Sequence, residues 1–164
     1  GMLHRCYSTK VHEKYPEYIG CIVSEEWKNF SNFRYWYEKN NYGGSNLNLD
    51  KDILYKGNKQ YSPDTCCLVP GFINTLFTNG KANRGELPLG VYKEEKNGIT
   101  CYRACMAVSS KSIKLGTFKT PEEAFQKYKE YKEQYIKDTA KRYKDKIPYS
   151  VYEAMMNWKV EITD

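Results

Sequence analysis

Hydrophobic positions recur with a helical period early in the chain and with a two-residue period later. Trp27, Phe30, Phe33, Trp36 and Tyr37 follow Ser24-Glu25-Glu26 at helical spacing. This pattern predicts one amphipathic helix with an aromatic face, and a core role outweighs base stacking for that stripe. Ser24 suits the N-cap, and the two glutamates suit the positive end of the helix dipole. Residues 89–94, 100–108 and 112–118 read as strands, joined by Asn97-Gly98, a strong hairpin signal, and by the less specific Ser109-Ser110. Thr120-Pro121-Glu122-Glu123 has the form of a capping box with proline at the first helical position. The helix it opens is predicted to run to about Lys144, with Ala124, Tyr128, Tyr131 and Tyr135 facing the core. Lys127, Lys129, Lys132 and Lys137 alternate with acidic residues as a solvated face. Pro148 opens a last short helix ending near Trp158. Together these elements predict an α+β protein: an N-terminal hairpin-helix region, then a three-stranded antiparallel sheet packed on a long helix.

The polar run at 78–85 separates the two differently patterned halves. The expected organisation is a first region at 1–80, a linker at 81–87, the sheet-plus-helix domain at 88–146 and a helical extension at 147–164. With 164 residues, 15% of them aromatic, the chain can bury one sizeable core or two small ones. An excess of 26 Lys and Arg over 20 Asp and Glu gives a net charge of +6, which favours a polyanionic partner without requiring one. Cys6, Cys21, Cys66, Cys67, Cys101 and Cys105 form no C-x-x-C pair, and no signal sequence precedes them. They read as free thiols of a reducing cytoplasm. A zinc site built from Cys6, Cys21, Cys66 and His12 is the weaker alternative, because structural zinc ligands usually come in closely spaced pairs. No apolar run approaches the roughly 18 residues of a membrane span. Gly1 before Met2 reads as the remnant of a cleaved tag, with native residues expected upstream. A nucleotide-binding glycine loop, a Ser-His-Asp set in motif context and an internal repeat are all absent from the sequence.

The stretch from Leu49 to Asn74 carries the densest candidate chemistry. An acidic residue sits beside a basic one at Asp50-Lys51, and a short glycine turn follows. After it come Tyr61-Ser62-Pro63-Asp64-Thr65-Cys66, read as a Ser-Pro helix entry with an apolar helix start, and then Asn74. Together with Met2-Leu3, Arg5-Cys6-Tyr7, Tyr18, Val23, Trp27 and Phe30 to Phe33, this pattern resembles an HNH-like family of phage endonucleases over nearly residues 2–80. The resemblance implies a hairpin-helix metal module. Asp50 would be the first ligand of a Mg²⁺ or Mn²⁺ ion and Asn74, 24 residues on, the last. Lys51 would stand at the general-base position and Thr65 at that of a structural asparagine. HNH chemistry uses the metal to stabilise the leaving oxygen and a histidine to activate water. The histidines of this chain, His4 and His12, lie near the N-terminus. A lysine serves as a base only when its pKa falls well below its ordinary value near 10.4, and Asp50 and Asp52 on either side favour the charged form. Three readings stay open: surface charges on a hairpin, metal-dependent cleavage, or another binding role.

Alternation in the middle strand puts Tyr102, Ala104, Met106 and Val108 on one face and Cys101, Arg103, Cys105 and Ala107 on the other. With the first set on the helix, and Ile113, Leu115, Leu89 and Val91 inward beside it, the open face carries Tyr92, Glu94, Arg103, Ser112 and Lys114. Lys96 and Lys111 stand at its turns. Gly90-Val91, Tyr102-Arg103-Ala104, Ile113-Lys114-Leu115-Gly116-Thr117-Phe118 and Thr120-Pro121-Glu122-Glu123-Ala124 with Tyr128 are similar to the APETALA/ethylene-response DNA-binding domain over about residues 88–131. That family occurs fused to HNH nucleases in phages and mobile elements, and its sheet reads the DNA major groove. The resemblance implies double-stranded DNA as partner, bound by Tyr92, Lys96, Arg103, Lys111, Ser112 and Lys114. Cys105, Ala107 and Glu94 stand where strong readers carry larger contacts, which predicts modest sequence specificity. The expected function is duplex DNA binding by a cytoplasmic phage or mobile-element protein, with or without metal-dependent nicking. An inactive DNA-binding regulator and a protein-interaction module are the alternatives.

Overall fold

The structure, a computed structural model, describes residues 1–43, 46–78 and 85–164. It is mixed α+β, and the chain divides into two compact units. One comprises Gly1–Thr78 and Tyr143–Met155, the other Asn79–Arg142 and Met156–Asp164. Most of the expected linker, residues 81–84, lies outside the described residues.

In the first unit, helices α1 (Met2–Tyr7) and α2 (Thr9–Lys14) and a 3-10 turn at Pro16–Tyr18 precede strand β1 (Ile22–Val23). The expected single aromatic helix is two: α3 (Glu25–Lys28) and α4 (Phe30–Asn40). Asn29 breaks it. Its backbone is extended (φ −85°, ψ 116°), and its side chain accepts the Ser31 N–H, so it caps α4 where the helix could have run on. Ser24 does stand at the N-cap of α3 but makes no side-chain cap bond, and its hydroxyl is buried without a partner. The aromatic stripe is core for Trp27, Phe33 and Trp36. The Trp27 ring meets Phe33 edge-on at 5.1 Å and Trp36 at 4.7 Å between centroids, among Cys6, Cys21, Val23, Tyr61 and Cys66. Such edge contacts suit the ring quadrupoles. Phe30 departs from the stripe, at 71% exposure.

The rest of this unit is β2 (Leu47–Asp50), β3 (Gln60–Tyr61), β4 (Cys67–Pro70) and α5 (Gly71–Leu76). β3 pairs with β1 in parallel, and β4 runs antiparallel to β2 with Asp50 opposite Cys67. The expected charged hairpin about Gly57 is therefore a loop: the paired strands are β2 and β4, flanking it. Likewise the Ser-Pro segment does not enter a helix. It makes a single turn in which Thr65 and Cys66 both donate to the Ser62 carbonyl, and the chain then becomes β4. Cys67, Leu68 and Val69 are all buried, the continuous apolar run that a fully buried strand shares with a buried helix start. The returning segment carries a 3-10 turn at Lys144–Lys146 and α7 (Tyr149–Asn157), on which Val151 and Met155 are fully buried.

The second unit is built on the antiparallel sheet β5 (Val91–Lys96), β6 (Ile99–Val108) and β7 (Lys111–Phe118), with the long helix α6 (Pro121–Arg142) packed across all three strands. Asn97 and Gly98 both have positive φ (52° and 75°), as a type I′ turn requires, and Ser109 and Ser110 adopt the same signs at 47° and 64°. The capping box forms as predicted, with Thr120 Oγ1 accepting the Glu123 N–H at 3.2 Å and Glu123 accepting the Thr120 N–H at 3.3 Å. Gly90 allows the helix to approach: a Cβ there would stand 2.1 Å from the Tyr128 ring, and its φ of +75° is left-handed as well.

Two expectations for this unit change. Burial along β6 does not follow simple alternation, since Ala104, Cys105 and Met106 are all buried, and the pairing slips by one where Ala104 faces Gly116 and Cys105 faces Lys114, which leaves Leu115 as the extra, bulged residue on β7. Beyond it, Cys105 pairs with Lys114 and Ala107 with Ser112, so Lys114 and Ser112 remain exposed. On α6 the lysines are not uniformly solvated. Lys132 is buried, its ammonium 5.6 Å from the centre of the Tyr128 ring, and Lys129 donates to the Val160 carbonyl at 2.6 Å. A lysine stem covers apolar surface readily, so a charge alternation read from sequence does not decide which way each stem turns. Among the described residues no helix is long and apolar enough to cross a membrane.

Candidate functional site

Asp50 ends β2, and its Oδ1 accepts the backbone N–H groups of Asp52 and Ile53, both at 2.7 Å. Those bonds turn the chain sharply away from the sheet. Burial raises the Asp50 carboxyl above the ordinary aspartate range, and the two N–H donors only partly offset it. Lys51, at the position of the expected general base, is 7% exposed. Its ammonium donates to both Asp52 oxygens, at 2.8 and 2.7 Å, and to the Asn58 carbonyl at 2.7 Å. A lysine ammonium has three donors and no acceptor, so this set engages its hydrogens in holding the loop. Asn58 completes the knot: its amide donates to the carbonyls of Lys51 and Gln60, and its oxygen accepts the Gln60 N–H. The geometry makes Lys51 a strut of the loop and gives it no lone pair for water activation.

Thr65, at the expected asparagine position, bonds the Gln60 carbonyl at 2.9 Å and the Ser62 hydroxyl at 2.8 Å, fastening the turn before β4. Asn74 lies on α5, which follows β4 and packs against β2; Gly71 at its start would bring a Cβ within 3.5 Å of Asn48. The Asn74 Oδ1 is buried without a hydrogen-bond partner. An acceptor left in that condition is costly unless something donates to it or coordinates it. Asp50 and Lys51 are thus joined in one turn, while Asn74 belongs to the adjoining helix. Among the described residues no three His, Cys, Asp or Glu side chains converge as a metal-binding group, the set Cys6, Cys21, Cys66 and His12 included. Burial instead raises the Cys66 thiol to about 11 and lifts Cys6 as well, which suits packed, protonated thiols.

Sequence reasoning placed Arg5 in the HNH-like pattern without giving it a role, and did not single out Asn58. Arg5 bonds Tyr61 and lies over the Tyr18 ring at 5.5 Å, and its charge reaches Asp50. Tyr61 itself is buried, which raises its hydroxyl, and the Arg5 bond counters part of that rise. The only available signal for Asn58 was its place after Gly57, where φ of +76° forms a turn closed by the Asn58 N–H on the Tyr55 carbonyl.

On the sheet, Tyr92 and Arg103 are directly opposite on β5 and β6, and Glu94 is diagonal to Arg103. The Arg103 guanidinium lies over the Tyr92 ring at 5.8 Å and forms an ion pair through Nη1 with Glu94. Tyr92 is 53% exposed. Lys96, Lys111, Ser112 and Lys114 are exposed, and among the described residues none of these three lysines has an ion-pair partner. Thr117 is opposite Arg103 on β7, so the face opposite α6 is a polar and aromatic surface with cations at its turns and edge. The six residues expected to contact DNA thus belong to one sheet and its turns, although Arg103 is held by Glu94.

No family model matches this chain, and no curated protein and no solved structure matches it. The likeness to HNH and APETALA-type domains accordingly rests on the residue patterns quoted for each.

Proposed function

We infer that this protein binds duplex DNA through the sheet face formed by β5, β6 and β7, with Tyr92, Lys96, Arg103, Lys111, Ser112 and Lys114 as the contacting residues. The observation that carries this reading is the exposure of Lys96 and Lys114 around the Tyr92–Arg103 pair on the side of the sheet away from α6, with Lys111 exposed at the β6–β7 turn. A short antiparallel sheet fits the major groove, lysines there reach phosphates, and an exposed aromatic ring adds contact area. The APETALA-type pattern over residues 88–131 supports the same partner. The chain acts, on this reading, in the cytoplasm of a bacterium or phage-infected cell, as a protein of phage or mobile-element type. Binding to a random-sequence duplex of about 30 base pairs should weaken steeply between about 50 and 200 mM salt, because each neutralised phosphate releases counterion. Affinity that ignores salt, or no affinity at all, points to the sheet as a protein-interaction surface and contradicts this reading.

Metal-dependent nicking is the second reading, favoured by the buried, unpartnered Asn74 Oδ1 beside β2. Asp50 and Asn74 supply oxygen donors of the kind that Mg²⁺ or Mn²⁺ takes alongside retained waters. The ion would supply Lewis acidity at a phosphate oxygen. Lys51 contributes no proton transfer here, since Asp52 and Asn58 consume its donors. Supercoiled plasmid incubated with EDTA, Mg²⁺ or Mn²⁺ beside Asp50→Ala tests it. Nicking that needs metal and disappears in the variant supports cleavage; binding without nicking leaves a DNA-binding regulator on a nuclease-like frame.

A further inference from the structure

Glu94 is the acidic residue seated within the proposed DNA face. It lies on β5 two residues from Tyr92 and pairs diagonally with Arg103, whose guanidinium stacks on Tyr92. The pair is neither solvated nor fully enclosed: the Arg103 side chain is 37% exposed and that of Glu94 22%. Each member also has one unspent polar atom. Glu94 Oε2 and Arg103 Nε are both buried with no hydrogen-bond partner. A planar guanidinium can satisfy a carboxylate with two parallel bonds, yet this one is coupled through Nη1 and leaves Nε idle. The contact is therefore strong enough to hold Arg103 over Tyr92 and is not the best that either group can make.

We propose that Glu94 sets the affinity and salt response of the sheet face by competing with DNA acceptors for Arg103. The proposal rests on the duplex-binding reading above. As folded, the centre of the face is charge-compensated, and the net positive charge resides in Lys96, Lys111 and Lys114 around it. DNA that approaches must either leave the Arg103–Glu94 pair in place, gaining no charge from Arg103, or replace Glu94 with a phosphate or guanine acceptor while pushing a carboxylate toward the polyanion. Both routes weaken binding, and both make Arg103 a poor contributor until Glu94 is neutralised. Glu94→Gln keeps the length and strand position of the side chain and removes the competing charge.

The test compares wild type, Glu94→Gln, Arg103→Ala and the double variant on a random-sequence duplex of about 30 base pairs, titrated over about 50 to 200 mM salt. Glu94→Gln is expected to tighten binding by about tenfold at the low-salt end. It should also steepen the log–log salt slope by about 0.9, the signature of one more phosphate neutralised. Adding Arg103→Ala should remove both gains. Glu94→Thr, a good strand former, must repeat the gain, and each variant is checked by its far-ultraviolet circular dichroism and thermal transition. Wild-type binding that is salt-sensitive but unchanged by either folded Glu94 variant overturns the role of Glu94 and leaves the duplex-binding reading standing. Salt-insensitive or absent binding in all of them overturns both. A gain that survives Arg103→Ala also overturns the proposal, because it reduces Glu94 to a general negative charge.

Discussion

Lys51 in the first unit and Arg103 in the second are both basic side chains paired with a carboxylate, but Lys51 is 7% exposed whereas the Arg103 side chain is 37% exposed. Lys51 has turned inward to donate to Asp52 and a backbone carbonyl, so its charge maintains a loop. Arg103 stays on a surface over Tyr92, and its partner is a neighbour on the same face. Two carboxylates repeat the contrast. Burial dominates at Asp50 and raises its pKa, whereas at Glu133 burial is outweighed by the Val160 N–H, Lys129 and Lys159, which hold it below the usual range. A charge near a motif position is thus functional or structural according to which way its side chain turns, and spacing along the chain does not decide that.

The most damaging way to break the second region without touching a charge is Gly90→Ala. Its Cβ would overlap the Tyr128 ring at a left-handed backbone position, so stability should fall by about 3 kcal/mol or more in urea denaturation, with duplex binding lost alongside. Lys51→Met breaks the corresponding support in the first region. Asp52 is 40% exposed and can be resolvated, so the loss should be about 2 kcal/mol, below that of a fully buried pair. Duplex affinity of the folded variant should stay near wild type. A loss in stability below about 0.5 kcal/mol means the buried lysine is not a strut.

Ser109 and Ser110 hold two positive φ angles that asparagine and glycine adopt more easily. Replacing them with Asn-Gly should stabilise the β6–β7 hairpin by about 0.5 to 1 kcal/mol in thermal unfolding. The smallest effect is a sign. Because the folded Asp50 pKa is raised, its contribution to stability falls as pH climbs from the ordinary carboxylate value through the folded one. Asp50→Asn should therefore gain on wild type as pH rises through that window, with its Oδ1 still able to accept both N–H groups. Glu133 has the opposite sign: its contribution is present above the ordinary value and is lost as pH falls through the lowered one, so Glu133→Gln should match wild type only in acid. Denaturation curves across the acidic range check both.

The second unit was legible in the sequence to within two residues at most strand ends, because its signals are local: Asn97-Gly98 dictates a turn, Thr120 and Glu123 form a capping box, and alternation orders the strands. What escaped was the bulge at Leu115 on β7, opposite Ala104–Cys105, for which Gly116 inside the strand was the one local signal. In the first unit the decisive interactions are side chain to backbone. Asn29 ends one helix and caps the next, Asn58 ties Lys51 to Gln60, and Thr65 fastens the turn before β4. Such bonds compete with regular structure and leave no periodic trace. Hence the broken helix and the displaced hairpin, and hence a Lys51 whose position in a motif is no guide to its work.

DNA recognition by the sheet face stands or falls on salt-titrated duplex binding by the wild-type chain beside Arg103→Ala with Lys114→Ala. Binding by the double variant should be weaker, by about tenfold at low salt, with a flatter log–log slope, since it loses one free cation and exposes Glu94 uncompensated. Equal affinity and equal slope in the two proteins would contradict DNA recognition by this face.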